Sequence, residues 1–295
     1  MDESFRIFVS IATAIVLEAM PFLALGSLLS AIVEVCVSAQ RMARAVPTSL
    51  AGRLALGVGA GVVLPTCECG VVPVARRLLA KGMPPSTTFA YLLAAPIVNP
   101  VVLASTYVAF RGDFGMVGAR AGVAVLVASL VGWRMRDATA ATVLRSSTPA
   151  ADADHDHDHD QEGGRLAAIL RHAGHDFLEM GKFLILGALA AAALKTATPP
   201  ETFSLLEGSR AVAIGGMMLL AIALSVCSEA DAFVAASFVT LPAAAHLAFI
   251  TIGPMVDLKL LGLYAVTFRR AVVGWIVLLP LVLVFLLCLA LGGLL

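Results

Sequence analysis

The sequence predicts an all-α polytopic membrane protein made of two inverted repeats, each with about three full spans plus a re-entrant helical hairpin. Three observations lead there. The first is composition: 60% of the 295 residues are hydrophobic and only 14% are charged, about half the charged share of a soluble domain, and the mean hydropathy is +0.95. The second is length: apolar runs over 5–33, 86–110, 172–194, 243–266 and 271–295 can each cross a hydrocarbon core of about 30 Å. The third is internal repetition, which is a search to make before reading single elements.

The repeat shows in special residues that recur in order. "LEAMPFLALG" (17–26) is echoed by "LEMGKFLILG" (178–187), so that Glu18, Phe22 and Gly26 correspond to Glu179, Phe183 and Gly187. Cys67 then corresponds to Cys227, Pro84 to Pro242, Pro96 to Pro254, Asn99 to Asp257, and Phe110-Arg111 to Phe268-Arg269, at a nearly constant spacing. This divides the chain into a first transmembrane repeat (1–136), a polar Asp/His-rich linker (137–165) and a second transmembrane repeat (166–295).

Within each repeat the order is the same. A long apolar span carrying Glu18 or Glu179 comes first. Two short apolar pieces follow, 54–64 with 70–80, and 211–226 with 230–241. A segment of about 11 residues covers roughly 16 Å as a helix, half of a bilayer, and two such pieces meeting at a polar tip predict a re-entrant hairpin. Backbone of that kind is tolerated at membrane depth only inside protein or along a cavity. Next comes a span interrupted at Pro-x-x-Asn or Pro-x-x-Asp, and then a plain span.

Charge bears on the topology. Three full spans per half invert the second half relative to the first. With the N-terminus outside, thirteen of the 20 Lys and Arg residues fall on the cytoplasmic side, among them Arg41, Arg76, Arg77, Lys81, Arg134, Arg165 and Arg269, as the positive-inside rule favours. The alternative, eight full spans with parallel repeats, moves Arg41, Arg44, Arg53, Arg269 and Arg270 outside. Arg120 fits poorly in either arrangement.

Several function classes are disfavoured. A net charge of zero gives no electrostatic case for nucleic acid. The first span is too long for a cleavable signal peptide and has no basic start. Five cysteines scattered through apolar segments do not make a disulfide framework, and Cys36 and Cys288 read as small buried apolar residues. The chain has no phosphate-binding loop, H-E-x-x-H or G-x-S-x-G; neither enzymatic activity nor a cofactor is expected.

The residues suited to chemistry concentrate at the tips and breaks. "LPTCECGVVP" (64–73) places Cys67, Glu68 and Cys69 between Pro65 and Pro73, which are read as ending and restarting the half-helices, with Gly70 easing the turn. "SVCSEADAF" (225–233) offers Cys227, Ser228, Glu229 and Asp231. In an inverted repeat two such tips can meet near the midplane, where transporter sites are built. Ionisable groups there are costly and read as functional. Thiolates suit copper(I), zinc and related thiophilic species.

At the interrupted spans, Pro96 and Pro100 flank Asn99, and Pro254 precedes Asp257. Proline removes a backbone donor and clashes with the carbonyl four residues back, which frees carbonyls to face a cavity. Glu18 and Glu179 are candidates for proton coupling, with Lys182 spaced to pair with Glu179 on one helix face. Lys259 does not share a helix face with Asp257 and is read as neutralising another carboxylate such as Asp231. In the linker, "ADADHDHDHDQ" aligns His155, His157 and His159, a composition that fits either weak metal binding or a solvated disordered segment.

The stretch "LPTCECGVVPVARRLLAKGMPPSTTFAYLLAAPIVNPVVLASTYVAF" (64–110), with "CSEADAFVAASF" (227–238) and "IGPMVDLKLL" (252–261), resembles the predicted permease family that includes the ArsP-type organoarsenical efflux permeases. The resemblance covers the chain apart from the linker. It implies a multi-pass inner-membrane permease, with efflux of trivalent arsenicals in some branches and copper or zinc resistance in others. It also implies, for the branch closest to this sequence, a second small membrane protein as partner in a two-component permease. The thiols fit any of these cargoes: Cys67 and Cys69 supply two, Cys227 a third, and Glu68, Glu229 or Asp231 add oxygen ligands for zinc.

Overall fold

The computed structural model describes residues 3–36, 38, 40, 44–64, 66–145, 165–197 and 209–293, and every regular element among them is helical. The first half runs α1 (Glu3–Cys36), α2 (Leu50–Val63), α3 (Glu68–Ala80), α4 (Pro85–Val98), α5 (Pro100–Ala109) and α6 (Phe114–Arg134). A single turn, α7 (Ala140–Val143), follows. The second half runs α8 (Arg165–Ala197), α9 (Arg210–Leu224), α10 (Asp231–Ala236), α11 (Ala243–Ile252), α12 (Leu258–Thr267) and α13 (Arg270–Leu291).

Among the described residues, four stretches are long and apolar enough to cross a membrane: Phe5–Cys36, Pro85–Ala109 (α4 with α5), Phe114–Arg134 and Arg270–Leu291. The short arms α2 and α3, with 14 and 13 residues, reach only about 20 Å at 1.5 Å per residue. The second return arm is shorter than its apolar run: α10 holds 6 residues, and 237–242 form turns leading to Pro242, the N-cap of α11. Apolarity continues there, but a proline cannot extend a helix whose amides it would have to supply.

The two interrupted spans sit at the centre. Every residue of α4 is buried, as is most of α11. That agrees with their lack of a polar face, since a helix apolar all round belongs inside. The long helices wrap them and turn large apolar side chains outward, such as Leu17 and Leu25 on α1, Leu178 and Leu186 on α8, and Leu278 and Leu286 on α13.

The halves interlock reciprocally. α1 packs along α8, the tip helix α3 lies against α12, and the tip helix α10 lies against α5. An antiparallel bridge between Leu144 and Phe268, with Arg269 N donating to Val143 O at 2.9 Å, ties the end of α7 to the junction between α12 and α13.

Two repeat-related glycines set helix spacing. A Cβ on Gly26 of α1 would stand 2.3 Å from the Gly70 Cα of α3, and one on Gly187 of α8 would stand 2.7 Å from the Lys259 Cα of α12. Small residues permit this approach where no hydrophobic force draws helices together. Gly70 is therefore a packing residue within α3; it does not form the turn expected of it.

Candidate functional site where the two halves meet

The first tip is built so that its polar groups are not spent on the backbone. α2 ends with Leu64 N returning to Ala60 O at 2.8 Å, and Thr66 Oγ1 stands 3.2 Å from the Tyr91 hydroxyl of α4. Cys67 is the N-cap of α3 and makes no side-chain cap, unlike the Ser, Thr, Asp or Asn usual there. Glu68 opens the first turn of α3, where the helix dipole favours an anion.

The second tip begins where α9 stops. Ser225 caps it in the left-handed region, at φ 48°, and its Oγ accepts from the Leu258 amide at 3.3 Å, which joins this tip to the start of α12. Ala230 N and Asp231 N both turn back to Cys227 O, at 2.9 and 3.0 Å. The resulting loop presents Cys227, Ser228 and Glu229 before Asp231 opens α10.

The two tips meet. Ser228 Oγ donates to Glu68 Oε2 at 3.1 Å, and Cys227 Sγ lies 3.8 Å from the same oxygen. Cys227 Sγ also donates to Glu229 Oε2 at 2.8 Å, which accepts from Ser228 Oγ at 3.4 Å. Ligand atoms of Glu68, Cys227 and Glu229 all lie within 4.8 Å of one another. One sulfur and two carboxylates make a set of the kind that zinc accepts. Cys67 and Cys69, both buried, flank Glu68 but are not in this group; Cys288 is buried as expected, whereas Cys36 is exposed on the last turn of α1.

The second half adds a cation. Lys259 Nζ stands 3.3 Å from Glu68 Oε1 and 3.4 Å from Asp257 Oδ2. The latter oxygen has no hydrogen bond, so that contact is an ion pair without hydrogen-bond alignment. Glu68, Asp257 and Lys259 are at most 2% exposed. Charges this deep are expensive unless paired, so their convergence makes this cluster the candidate site.

Asn99 and Asp257 play matching roles. Asn99 Oδ1 accepts from Val101 N at 2.9 Å and caps α5; Asp257 Oδ1 accepts from Leu260 N at 2.7 Å and caps α12. Pro100 occupies the first turn of α5, where its missing amide costs nothing, and Pro254 lies in the turn between α11 and α12.

Pro73 and Pro96 are corrections. Both lie within helices, α3 and α4, and neither marks a break. Each removes one amide, but helical φ suits proline and surrounding protein can hold such a helix together. Pro65, like His155, His157 and His159, lies outside the described residues.

A second buried network was missed by sequence reasoning. Arg120, inside α6 and 0% exposed, donates to Asp231 Oδ2 at 2.6 Å, to Thr106 Oγ1 at 2.6 Å and to Ser228 O at 3.4 Å. Asp231 is thus neutralised by Arg120 and not by Lys259, which joins Asp257 and Glu68 instead. The helix-face argument failed because Asp257 is a cap outside the helix, free of the helical register. The available signal is Arg120 itself, an unmatched charge in an apolar span that fits neither topology.

The proton-coupling candidates lie apart from this cluster. Glu18 faces outward on α1. Glu179 pairs with Arg76 of α3 at 2.9 Å, and not with Lys182. Beside it Asp176 binds Arg77 at 3.0 Å and accepts from Ser30 at 3.0 Å, while Lys81 Nζ reaches the Val33 and Glu34 carbonyls. This clasp fixes the far end of α3, the helix whose other end carries Glu68.

The chain matches the predicted permease family, of ArsP type, over residues 4–293. It is 38% identical over 274 residues to the UPF0718 protein YcgR of Bacillus subtilis (strain 168), covering 91% of each chain. It is 34% identical over 251 residues to a Streptococcus mutans protein named as a two-component membrane permease complex subunit, covering 85% of this chain and 83% of that one. No solved structure matches. With the family match spanning nearly its whole length, and with its apolar helices, this chain is a membrane protein belonging to the ArsP-type predicted permease family.

Proposed function

We propose that the protein is a secondary efflux permease for a thiophilic metal or metalloid species (zinc, copper or a trivalent arsenical), with its cargo site at the joined tips. The observation that carries this is the contact of Ser228 and Cys227 with Glu68. A buried thiol and carboxylates, supplied by two separate halves, meet at one point where stability alone would favour apolar residues. The halves 1–136 and 166–295 act as inverted repeats that rock about this point, and the linker 137–165 lies on the cytoplasmic side of the inner membrane. The matching caps Asn99 and Asp257 and the reciprocal packing of the tip helices support that reading. The His155–His159 tract is an accessory metal-binding segment, and Glu18 and Glu179 are the proton-coupling candidates.

The test is flux. Purified protein in liposomes is offered zinc, copper(I) and a trivalent arsenical in turn. Uptake of at least one, lost on Glu68→Gln, is expected; a protein that moves none is not a self-sufficient permease. One specific observation favours a second reading, a subunit that needs a partner: the Streptococcus mutans relative is named as part of a two-component permease complex. That reading predicts flux only when a second, small membrane protein is reconstituted with this chain.

A further inference from the structure

The ligand chemistry of the joined tips narrows the cargo, and this step rests on the permease reading above. Asp231 is matched by Arg120 at 2.6 Å and drops out of the balance. What remains is Glu68 and Asp257 beside one ammonium, Lys259, with Glu229 grouped with Glu68 and Cys227. Three carboxylates against one cation leave an excess of negative charge, with Glu68, Asp257 and Lys259 buried and Glu229 half-buried.

A neutral trivalent arsenical does not relieve that excess. Inorganic and monosubstituted trivalent arsenic offer three and two thiol-reactive positions, and only one sulfur, Cys227, stands in the ligand group. Copper(I) is disfavoured for the same reason, because it selects soft ligands. Magnesium and calcium want oxygen shells of six or more, which a thiol cannot complete. A divalent ion of the zinc class accepts one thiolate and two carboxylates, and its two positive charges offset most of the negative charge that stands there once the thiol has ionised.

The lysine supports the same conclusion. Its contacts of 3.3 and 3.4 Å are long beside the 2.7–2.9 Å usual for charge-assisted bonds. Asp257 Oδ2 is buried and has no hydrogen bond. The ammonium is therefore shared between two carboxylates and seated firmly on neither, with a free acceptor waiting on the Asp257 side.

We propose that Glu68, Cys227 and Glu229 form a binding site for a divalent, zinc-class metal ion, and that Lys259 is a tethered cation which the metal displaces from Glu68 onto Asp257. Binding takes up the ion and releases one proton, from the Cys227 thiol, as a sulfur–metal bond replaces S–H. The two long contacts of Lys259 become one short one. Cargo release reverses the exchange, so the empty site never presents Glu68 uncompensated in the membrane.

Cobalt(II) is the probe, added to the purified full-length protein in detergent. The expected result is a near-ultraviolet sulfur-to-cobalt charge-transfer band that zinc abolishes by competition and that Cys227→Ser eliminates, with Glu229→Gln weakening binding about 10-fold or more. Lys259→Gln tightens cobalt binding about tenfold, or about 1.4 kcal/mol, because the internal competitor is gone. No sulfur-to-cobalt band in the folded wild-type protein overturns the site. So does a band that survives Cys227→Ser and disappears in the Cys67→Ser/Cys69→Ser double variant. Unchanged or weaker binding in folded Lys259→Gln overturns the displacement.

These outcomes separate from the permease reading. Protein that shows the Cys227-dependent band but moves nothing in liposomes supports the site while removing the transport cycle. Protein that transports an arsenical without any cobalt band overturns the site and keeps the permease.

Discussion

Removing the Arg120 side-chain charge tests the buried connection between the halves most directly. Arg120 and Asp231 are 0% and 1% exposed at the side chain, 2.6 Å apart, and Asp231 Oδ1 and Arg120 Nε already lack hydrogen bonds. In Arg120→Met, Asp231 loses its one strong partner and has no route to water, while Thr106 Oγ1 and Ser228 O lose a donor. Breaking a fully buried pair costs about 3–5 kcal/mol, against a total stability of about 5–15 kcal/mol. At about 2–4 °C per kcal/mol for a large domain, the midpoint falls by roughly 6–20 °C. Thermal loss of helical circular dichroism in detergent reads this out. In Arg120→Met/Asp231→Asn the charge is gone from both sides, and most of the loss returns, to within about 2 kcal/mol of the parent protein. The reasoning fails if Arg120→Met melts within a degree or two of the parent, or if the double variant is no more stable than the single one.

Other consequences follow from the same contacts. Gly187→Ala puts a Cβ 2.7 Å from the Lys259 backbone and Gly26→Ala puts one 2.3 Å from Gly70; each lowers stability by about 1–3 kcal/mol, measured by the same melts, and Gly187→Ala also alters cobalt affinity because α12 must shift. Asp257→Asn keeps the cap on α12 but loses the ion pair with Lys259, whereas Asp257→Ala loses both, so the alanine variant is less stable than the asparagine variant by about 1 kcal/mol. Arg77→Asp loosens the clasp at the far end of α3, and the added reversal Asp176→Arg restores part of the lost stability; absence of any rescue in the double variant argues against a direct pair.

Much of the fold was legible because it depends on local pattern. Among the described residues, hydropathy marked three of the four helical stretches long and apolar enough to cross a membrane, at 5–33, 86–110 and 271–295, and half-length apolar pieces around Cys67–Cys69 and Cys227–Asp231 marked the two junctions between short helices. The breaks at Asn99 and Asp257 were visible because a Pro-x-x-Asn or Pro-x-x-Asp step interrupts a helix by its own backbone chemistry. Local rules also misled where packing overrode them: Pro73 and Pro96 were read as breaks, yet neighbouring helices carry the chain straight through.

Hydropathy, repetition and cap-forming residues were enough to predict which segments would be helices and where polar groups would gather, because each acts within a few residues of chain. Which charge meets which was set only by tertiary packing. Glu68 joins Lys259 across 191 residues, Arg120 joins Asp231 across 111, and Arg76 joins Glu179 across 103. A charge buried in an apolar bundle takes whatever opposite charge the helix packing brings within reach, and that choice depends on helix contacts such as Gly26 on Gly70 and Gly187 on Lys259, which leave no mark in the spacing of the charged residues themselves.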